Sequence, residues 1–292
     1  MTLRAEDEGP RPATGPGFAD ALTFAFGDPR EGLFGLARLE LAAQGATGAA
    51  ALFAGGQLVA ARAEAAEPVE DFGQVRAAGL RAAVDEPLRA WSLAFDAGDD
   101  GGFALELRAL SLGAELAARA RGAGEVAGYV HLCAVDGTVR AGAGHHRVRC
   151  LGQRARRWLA PDGEPLAQVR SVGAWLGDDL ALAVVGLRPA AARGHDEEVL
   201  SACVLEGERP AVPVQAEEVR LSTTTGGDGQ PRVAGLELWA GDDDRPPRHA
   251  AGELRCATTL DLGRRRLECA FLGWRMEGRE GIGCIEAVRP AR

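Results

Sequence analysis

The sequence contains neither lysine nor asparagine, and its 33 basic residues are all arginine. Without lysine, a Schiff base to substrate, a phosphate-binding P-loop and attachment of a cofactor to lysine are all excluded. Other enzyme motifs are missing too: there is no G-x-S-x-G, no H-E-x-x-H and no G-x-G-x-x-G. We therefore do not expect an α/β-hydrolase, a zinc protease, a dinucleotide-binding enzyme or an NTPase, and we expect no cofactor.

Cysteine occurs six times but never in C-x-x-C spacing. This predicts free thiols in a reducing compartment rather than a disulfide framework or a zinc site, and we expect no metal. No apolar run approaches the length of about 18 residues that spans a membrane, and the first residues lack a hydrophobic signal core. We expect a cytoplasmic protein without a membrane span, in which residues 1–19 form a disordered lead-in.

The chain is acidic overall, with a net charge of -9 and a pI of about 5.2. Nucleic-acid binding requires a cationic face that neutralises phosphates, so we expect no nucleic-acid partner. Hydrophobic residues make up 46% of the chain, which indicates a globular protein with a substantial core. The expected partner is a hydrophobic small molecule, and the sequence gives no indication of the oligomeric state.

Short apolar runs separated by Gly, Asp and Pro recur along the chain and predict an all-β protein. The strongest hairpin joins residues 91–95 (WSLAF) to 103–107 (FALEL), because both runs alternate apolar and polar residues. Residues 110–123 are predicted to be a loop or a short helix. A length of 292 residues exceeds the usual single domain. We expect two antiparallel β-barrel or sandwich domains packed side by side, over residues 20–158 and 159–292.

Residues 142–158 (GAGHHRVRCLGQRARRW) combine two adjacent histidines, five arginines, a cysteine and a tryptophan. Such a density of cations between two β-rich parts indicates the seam between two domains, a functional site, or both. For any individual arginine, pairing with a carboxylate at the seam is the simpler interpretation.

A second polar pattern lies just before this stretch. Residues 128–134 (GYVHLCA) are predicted to be one arm of a hairpin that turns at residues 135–137 (VDG). Alternation places Tyr129 and His131 on one face and the intervening apolar residues on the other. If the apolar face packs against another layer, Tyr129 and His131 face a cavity; in the reverse case they face solvent.

A hydrophobic pocket with a few polar groups is the usual form of a small-molecule site. The candidate catalytic residues are His131, His146, Arg147, Arg154 and Tyr129. The candidate substrate-binding residues are Trp91, His145, Trp158, Trp175, Trp239 and Glu286. A histidine can donate a proton near neutral pH, and a tryptophan can form either core or pocket wall. Adjacent histidines on a strand point to opposite faces, which argues against a shared metal ion.

Three segments, in order, resemble the carotenoid 1,2-hydratase (hydroxyneurosporene synthase) superfamily and its AttH-like relatives, which are tandem lipocalin-like proteins. Members carry a W-x-L-x-F hairpin, then G-x-G-x-x-R-D-H-S-W-G-x-R followed by a tryptophan, and finally E-G-x-x-G-x-G-x-x-E. The corresponding segments here are residues 91–95, 142–158 and 277–286 (EGREGIGCIE). The resemblance implies two lipocalin-like domains.

This sequence departs from the family at the D-H-S-W tetrad. The matching positions are Gly142, Gly144, Arg147, Gly152, Arg154 and Trp158, whereas the tetrad falls on Val148, Arg149, Cys150 and Leu151. An acid and a histidine suited to protonating an alkene are therefore absent from the positions where the family has them. Relatives of this scaffold include Diels-Alderase-type pericyclases, which need a shaped pocket and a hydrogen bond to an activating carbonyl rather than acid-base groups.

We therefore expect a natural-product biosynthetic cyclase or isomerase that shapes a hydrophobic polyene, polyketide or terpenoid intermediate in a barrel pocket. Two alternatives stay open. One is a hydratase or acid-base terpene-type cyclase that uses His145 or His146 with Glu286. The other is a non-catalytic carrier of a lipophilic molecule on the same fold.

Overall fold

The computed structural model describes residues 3–193, 197–227, 229–240 and 246–291. The first ten strands are β1 (Ala19–Asp28), β2 (Leu33–Ala42), β3 (Gly45–Ala54), β4 (Gln57–Ala66), β5 (Leu80–Glu86), β6 (Ala90–Asp96), β7 (Gly101–Ala109), β8 (Ala114–Ala120), β9 (Gly124–Ala141) and β10 (Gly144–Pro161). The others are β11 (Leu166–Trp175), β12 (Leu180–Pro189), β13 (Val199–Glu206), β14 (Val212–Thr225), β15 (Pro231–Ala240), β16 (Arg248–Asp261), β17 (Arg265–Met276) and β18 (Arg279–Pro290). Short 3₁₀ turns lie at Ala5–Glu8, Phe72–Gln74 and Gly98–Asp100. Among the described residues, no helix has the length and apolar character needed to cross a membrane.

The strands form two antiparallel units. In the described ranges, β11 to β18 close into a barrel, because β18 pairs with both β17 and β11. Strands β1 to β10 form an open, curled sheet in the order β4-β3-β2-β1-β10-β9-β7-β6-β5, with β8 paired to β9. The predicted all-β fold of two packed β units is thus confirmed. The expected domain boundary after Trp158 falls inside β10, which continues to Pro161.

Apolar side chains form three buried clusters. One fills the interior of the open sheet and includes Trp91. Another fills the barrel around Trp274. The third lies where the units meet, and there Phe271 of the barrel contacts Phe34 and Phe53 of the sheet, with ring centroids 5.5 and 6.0 Å apart. Strand β1 is buried along its whole length, because one face lies in the interior and the other in this contact.

Buried ion pairs also cross the contact between the two units. Glu40 on β2 accepts hydrogen bonds from Arg38 at 2.7 Å and from Arg265 on β17. Glu286 on β18 accepts one from Arg157 on β10 at 3.3 Å. Burial tends to raise the pKa of Glu40, but the two arginines outweigh burial, so its pKa lies below the ordinary value. We call these five residues the seam network.

Two sequence predictions on β8 and β9 are wrong. Residues 135–137 are not a turn, because Gly137 pairs with β7 on one side and β10 on the other. A Cβ at Gly137 would lie 2.2 Å from the carbonyl oxygen of Ala104, so the glycine permits close strand packing rather than a reversal. Within residues 110–123 the chain forms β8 instead of a loop or helix. Its buried Ala114, Leu116 and Ala118 face the contact between the units, and this pairing overrides alanine's helix propensity.

Replacing Phe271 tests whether the contact holds the two units together. We expect Phe271→Ala to lower the free energy of unfolding by about 3–5 kcal/mol, since it leaves a cavity between two aromatic rings. Leu58→Ala, at a side chain that is 46% exposed, serves as the control and should change it by less than about 0.5 kcal/mol. Urea denaturation followed by tryptophan fluorescence and circular dichroism measures both. Separate transitions for the two units in the wild-type protein, or a loss below that of the control, would contradict this interpretation of the contact.

Candidate functional site

The inner face of β10 carries two arginines into the interior of the open sheet. Side chains alternate along a strand, so Arg154 and Arg156 share a face with Val148, which belongs to the apolar cluster of that interior. Both arginines are fully buried. An unpaired ion at such depth costs several kcal/mol of desolvation, so each requires a carboxylate partner.

Arg154 is paired with Glu8, which lies in the 3₁₀ turn near the start of the chain. Nη2 of Arg154 donates to Oε2 of Glu8. Oε1 of Glu8 accepts a hydrogen bond from Nε1 of Trp91 at 3.1 Å and another from the backbone N–H of Leu88 at 2.9 Å. The Glu8 side chain is 7% exposed. We call these three donors the carboxylate cradle.

Aromatic rings complete the surroundings of Arg154. Its guanidinium carbon lies 5.0 Å from the ring centroids of both Trp91 and Tyr129. Nε and Nη1 of Arg154 have no hydrogen-bond partner in the part of the chain that the structure describes. The faces of the two rings stabilise the cation instead, through cation–π attraction.

Arg156 joins β10 to β1 and to the start of the chain. Its Nε and Nη2 each donate to a carboxylate oxygen of Asp20 at 2.6 Å, in the bidentate geometry that suits a guanidinium. Its Nη1 and Nη2 also donate to the backbone carbonyl oxygens of Glu8 at 2.8 Å and Gly9 at 2.9 Å. Arg156 therefore fixes the backbone that presents Glu8.

Tyr129 and His131 lie on the same interior, next to Arg154. The hydroxyl of Tyr129 donates to the carbonyl oxygen of Asp7 at 3.0 Å, and burial raises the pKa of Tyr129. His131 stands 5.3 Å from Trp91 and 5.7 Å from Tyr129, measured between ring centroids. Burial, together with the charge of Arg154, lowers the pKa of His131 to about 3, so its imidazole is neutral at physiological pH. Its Nδ1 has no hydrogen-bond partner among the described residues.

The segment predicted to be a disordered lead-in contributes to this cluster. We call residues 3–9 the N-terminal segment. Leu3 and His131 both lie against Gly113, since a Cβ at that glycine would be 2.3 Å from Cδ1 of Leu3 and 3.0 Å from Nε2 of His131. Asp7, Glu8 and Gly9 supply the acceptors described above. Charge pairing with a buried arginine thus orders a stretch whose composition alone predicts disorder.

The cluster can bind and polarise an oxygen-bearing group. Arg154, Trp91 and Tyr129 offer hydrogen-bond donors on one side of an apolar interior, and neutral His131 offers an acceptor. The two cysteines on the same interior, Cys133 and Cys150, have pKa values raised to about 12 by burial, so they are protonated thiols and poor nucleophiles. In the ranges described, no three His, Cys, Asp or Glu side chains are placed to hold a metal ion.

Four of the residues proposed from the sequence meet here, and three lie at the far end of β10. Trp91, Tyr129, His131 and Arg154 belong to the cluster. His145 and Arg147 are exposed, Arg147 pairs with Asp136 at 3.6 Å, and Nδ1 of His146 lies 3.6 Å from Glu31. At about 3.3 Å per residue, the nine positions between His145 and Arg154 separate them by about 30 Å.

The remaining predicted residues are distributed over other parts of the fold. Trp158 is half-buried beneath Arg11, whose guanidinium carbon is 4.5 Å from its ring. Trp175 belongs to the contact between the two units. Trp239 lies on the barrel, 4.9 Å from the guanidinium carbon of Arg220. Glu286 is part of the seam network.

Sequence reasoning missed Glu8, Asp20 and Arg156. Arg156 could have been found, because it lies two residues beyond Arg154 and therefore on the same face of the strand. Asp20 and Glu8 carry no local signal, since each contacts an arginine more than a hundred positions away, at separations of 136 and 146 residues.

Structural comparison extends the sequence resemblance. An AttH-like protein of Nitrosomonas europaea superposes with a TM-score of 0.66 at 13% identity, covering 97% of this chain and 100% of that one. Kievitone hydratase from Nectria haematococca superposes with a TM-score of 0.66 at 8% identity, covering 99% and 93%. The protein therefore has the tandem lipocalin-like fold of the carotenoid hydratase type. No curated protein matches the sequence itself. A family model described as "Domain of unknown function (DUF7064)" matches residues 4–291, and the chain belongs to that family.

Proposed function

We propose that this protein is a cofactor-independent cyclase or isomerase that acts on a hydrophobic, carbonyl-bearing intermediate of natural-product biosynthesis, inside the open sheet. One observation carries the proposal. The donors of Arg154, Trp91 and Tyr129 converge at one end of an otherwise apolar interior, and their present acceptors are oxygens of the N-terminal segment. A substrate oxygen in the same place would receive the same hydrogen bonds.

The chemistry follows from this arrangement. Hydrogen bonds from a buried cation and a phenol withdraw electron density from a carbonyl, and this activates a conjugated alkene for ring closure or double-bond migration. Where a substrate takes the place of the N-terminal segment, the surrounding apolar side chains hold the reactive conformer and exclude water. Neutral His131 can accept a proton or a hydrogen bond, but with its pKa near 3 it does not provide an imidazolium acid. No strong acid is needed for such a reaction.

A hydratase is the second candidate, and the fold favours it because kievitone hydratase shares this architecture. Addition of water to an alkene requires a proton donor, and the interior positions that replace the family tetrad, Val148 and Cys150, cannot act as one at neutral pH. Glu8 is the carboxylate that contacts Arg154 in the described part of the chain. Incubation with conjugated carbonyl-bearing polyenes and with kievitone, followed by mass spectrometry, separates the candidates. A product of unchanged mass supports a cyclase or isomerase, a gain of one water supports a hydratase, and unchanged ligand supports a carrier.

Tyr129→Phe tests the role of the cluster in turnover. Removing one preorganised donor should lower kcat by on the order of 10²-fold while leaving the packing of the ring intact. His145→Ala, at the exposed end of β10, is the control and should turn over like the wild-type protein. Steady-state kinetics on any converted polyene gives both values. Full activity in Tyr129→Phe together with loss of activity in His145→Ala would contradict this role. It would instead support an acid-base reaction that uses His145, at the other end of β10.

The neutral state of His131 predicts a dependence of stability on pH. Between about pH 3 and its ordinary pKa of 6.5, the unfolded chain binds a proton at His131 that the folded chain does not. The free energy of unfolding should therefore fall as the pH falls through this range, with His131 contributing about 1.4 kcal/mol per pH unit. Urea denaturation at about pH 5 and pH 7 should show a smaller difference for His131→Gln than for the wild-type protein, whereas the exposed His145→Gln should match the wild type. Equal differences in all three proteins would mean that His131 is protonated inside the fold.

A further inference from the structure

The N-terminal segment occupies the hydrogen-bonding groups that the proposed function assigns to a substrate. Glu8 places a carboxylate in the carboxylate cradle, and the carbonyl oxygen of Asp7 accepts from Tyr129. Leu3 and His131 both lie against Gly113. The segment therefore combines a carboxylate with an apolar side chain, and it fills the polar end of the interior as a ligand would.

This segment is not built into the sheet. The first strand begins at Ala19, and in the 3₁₀ turn at Ala5–Glu8 the side chain that is buried is the polar one of Glu8, so the turn contributes little apolar surface. Residues 9–17 (GPRPATGPG) join the turn to β1 with glycine and proline and supply almost no apolar surface. Hydrogen bonds, an ion pair and the side chain of Leu3 thus hold the segment in place, and a ligand that supplies equivalent contacts can replace it.

The cradle selects for negative charge. Arg154 is fully buried, and Glu8 is the carboxylate that pairs with it in the described structure. A neutral carbonyl that displaced Glu8 would leave a buried guanidinium without a counter-charge, at a large cost in desolvation. A carboxylate would restore the charge pair and accept from Trp91 and Leu88 as Glu8 does.

We infer that the ligand of this site is an amphiphile with a carboxylate on an apolar body, and that it binds by displacing Glu8 and the N-terminal segment from the carboxylate cradle. The inference rests on the proposed function in taking the interior of the open sheet as the ligand site. It narrows that proposal to intermediates that carry a carboxylate, which the cradle binds and positions. The N-terminal segment then competes with the ligand for the cradle. The apparent affinity for the ligand therefore depends on the fraction of molecules in which the segment is released.

Binding of parinaric acid, a fluorescent polyene fatty acid, and of its methyl ester to the full-length protein tests the inference. Glu8→Gln removes the internal carboxylate and leaves Arg154 in need of an anion. We expect this variant to bind the acid about tenfold more tightly than the wild-type protein does, and to prefer the acid to the ester by a similar factor. The matched control is Glu6→Gln, which removes a 73%-exposed carboxylate from the same turn and should bind like the wild type.

A charge-balanced variant controls for the effect of an unpaired buried charge on folding. Glu8→Gln combined with Arg154→Met removes both ions, and we expect it to bind acid and ester equally. Amide hydrogen exchange provides a readout that is independent of the probe's fluorescence. Exchange over residues 3–9 should increase when the acid binds to the wild-type protein, because the segment is released.

The outcomes separate this inference from the proposed function. Equal affinity of folded Glu8→Gln for acid and ester would overturn the carboxylate inference and leave the proposed location of the site standing. Binding of the acid with no change in exchange over residues 3–9 would overturn displacement of the segment. If neither parinaric acid nor its methyl ester bound to any of the folded variants, both the inference and the proposed location of the site would be wrong.

Discussion

Neutralising two buried guanidinium groups is the constraint on which the first half of this molecule depends. Asp20, on the adjacent strand β1, serves Arg156 from within the sheet. Asp20 lies diagonally across from Arg156 on the same face of the sheet, whereas the positions of β1 opposite and diagonal to Arg154 are Phe24, Leu22 and Phe26, and its partner on β9 is His131. Its counter-charge comes from outside the sheet, through Glu8, and this brings residues 3–9 across the interior.

The buried pair of Arg154 and Glu8 contributes little to the free energy of folding. A buried ion pair recovers little more than its own desolvation cost, and apolar residues of similar volume in its place are often neutral or stabilising. Losing one partner, by contrast, costs about 3–5 kcal/mol. An arginine at the centre of an apolar interior, with its counter-ion on a detachable segment, therefore fits a binding role better than a structural one. The seam network differs, because both of its carboxylates lie on strands of the fold.

The sequence allowed most of the fold and part of the site to be predicted. Hairpins such as β6–β7 were accessible because alternation and glycine-rich turns are local signals. The turn predicted at residues 135–137 was wrong. A glycine that allows a neighbouring backbone to approach closely cannot be distinguished in the sequence from a glycine that reverses the chain. Tyr129, His131 and Arg154 were identified from residue type and face. Glu8 was not, since its role depends on a contact 146 residues away.

Strand β10 shows how this chain can keep the fold while lacking the acid and histidine of the D-H-S-W tetrad. Along the inner face of β10, Val148 and Cys150 precede Gly152, and Arg154 and Arg156 follow it. The tetrad positions that face inward are therefore apolar or carry a protonated thiol. Arg154, at the polar end, is six residues from Val148 and four from Cys150, or about 20 and about 13 Å at about 3.3 Å per residue. An amphiphile bound at the charged end, as we infer, would therefore meet no acid at Val148 or Cys150. Under the proposed function, the reaction would depend on the conformation of the bound ligand, because among the described residues of this interior the groups that could exchange a proton with it lie at the end that binds its carboxylate.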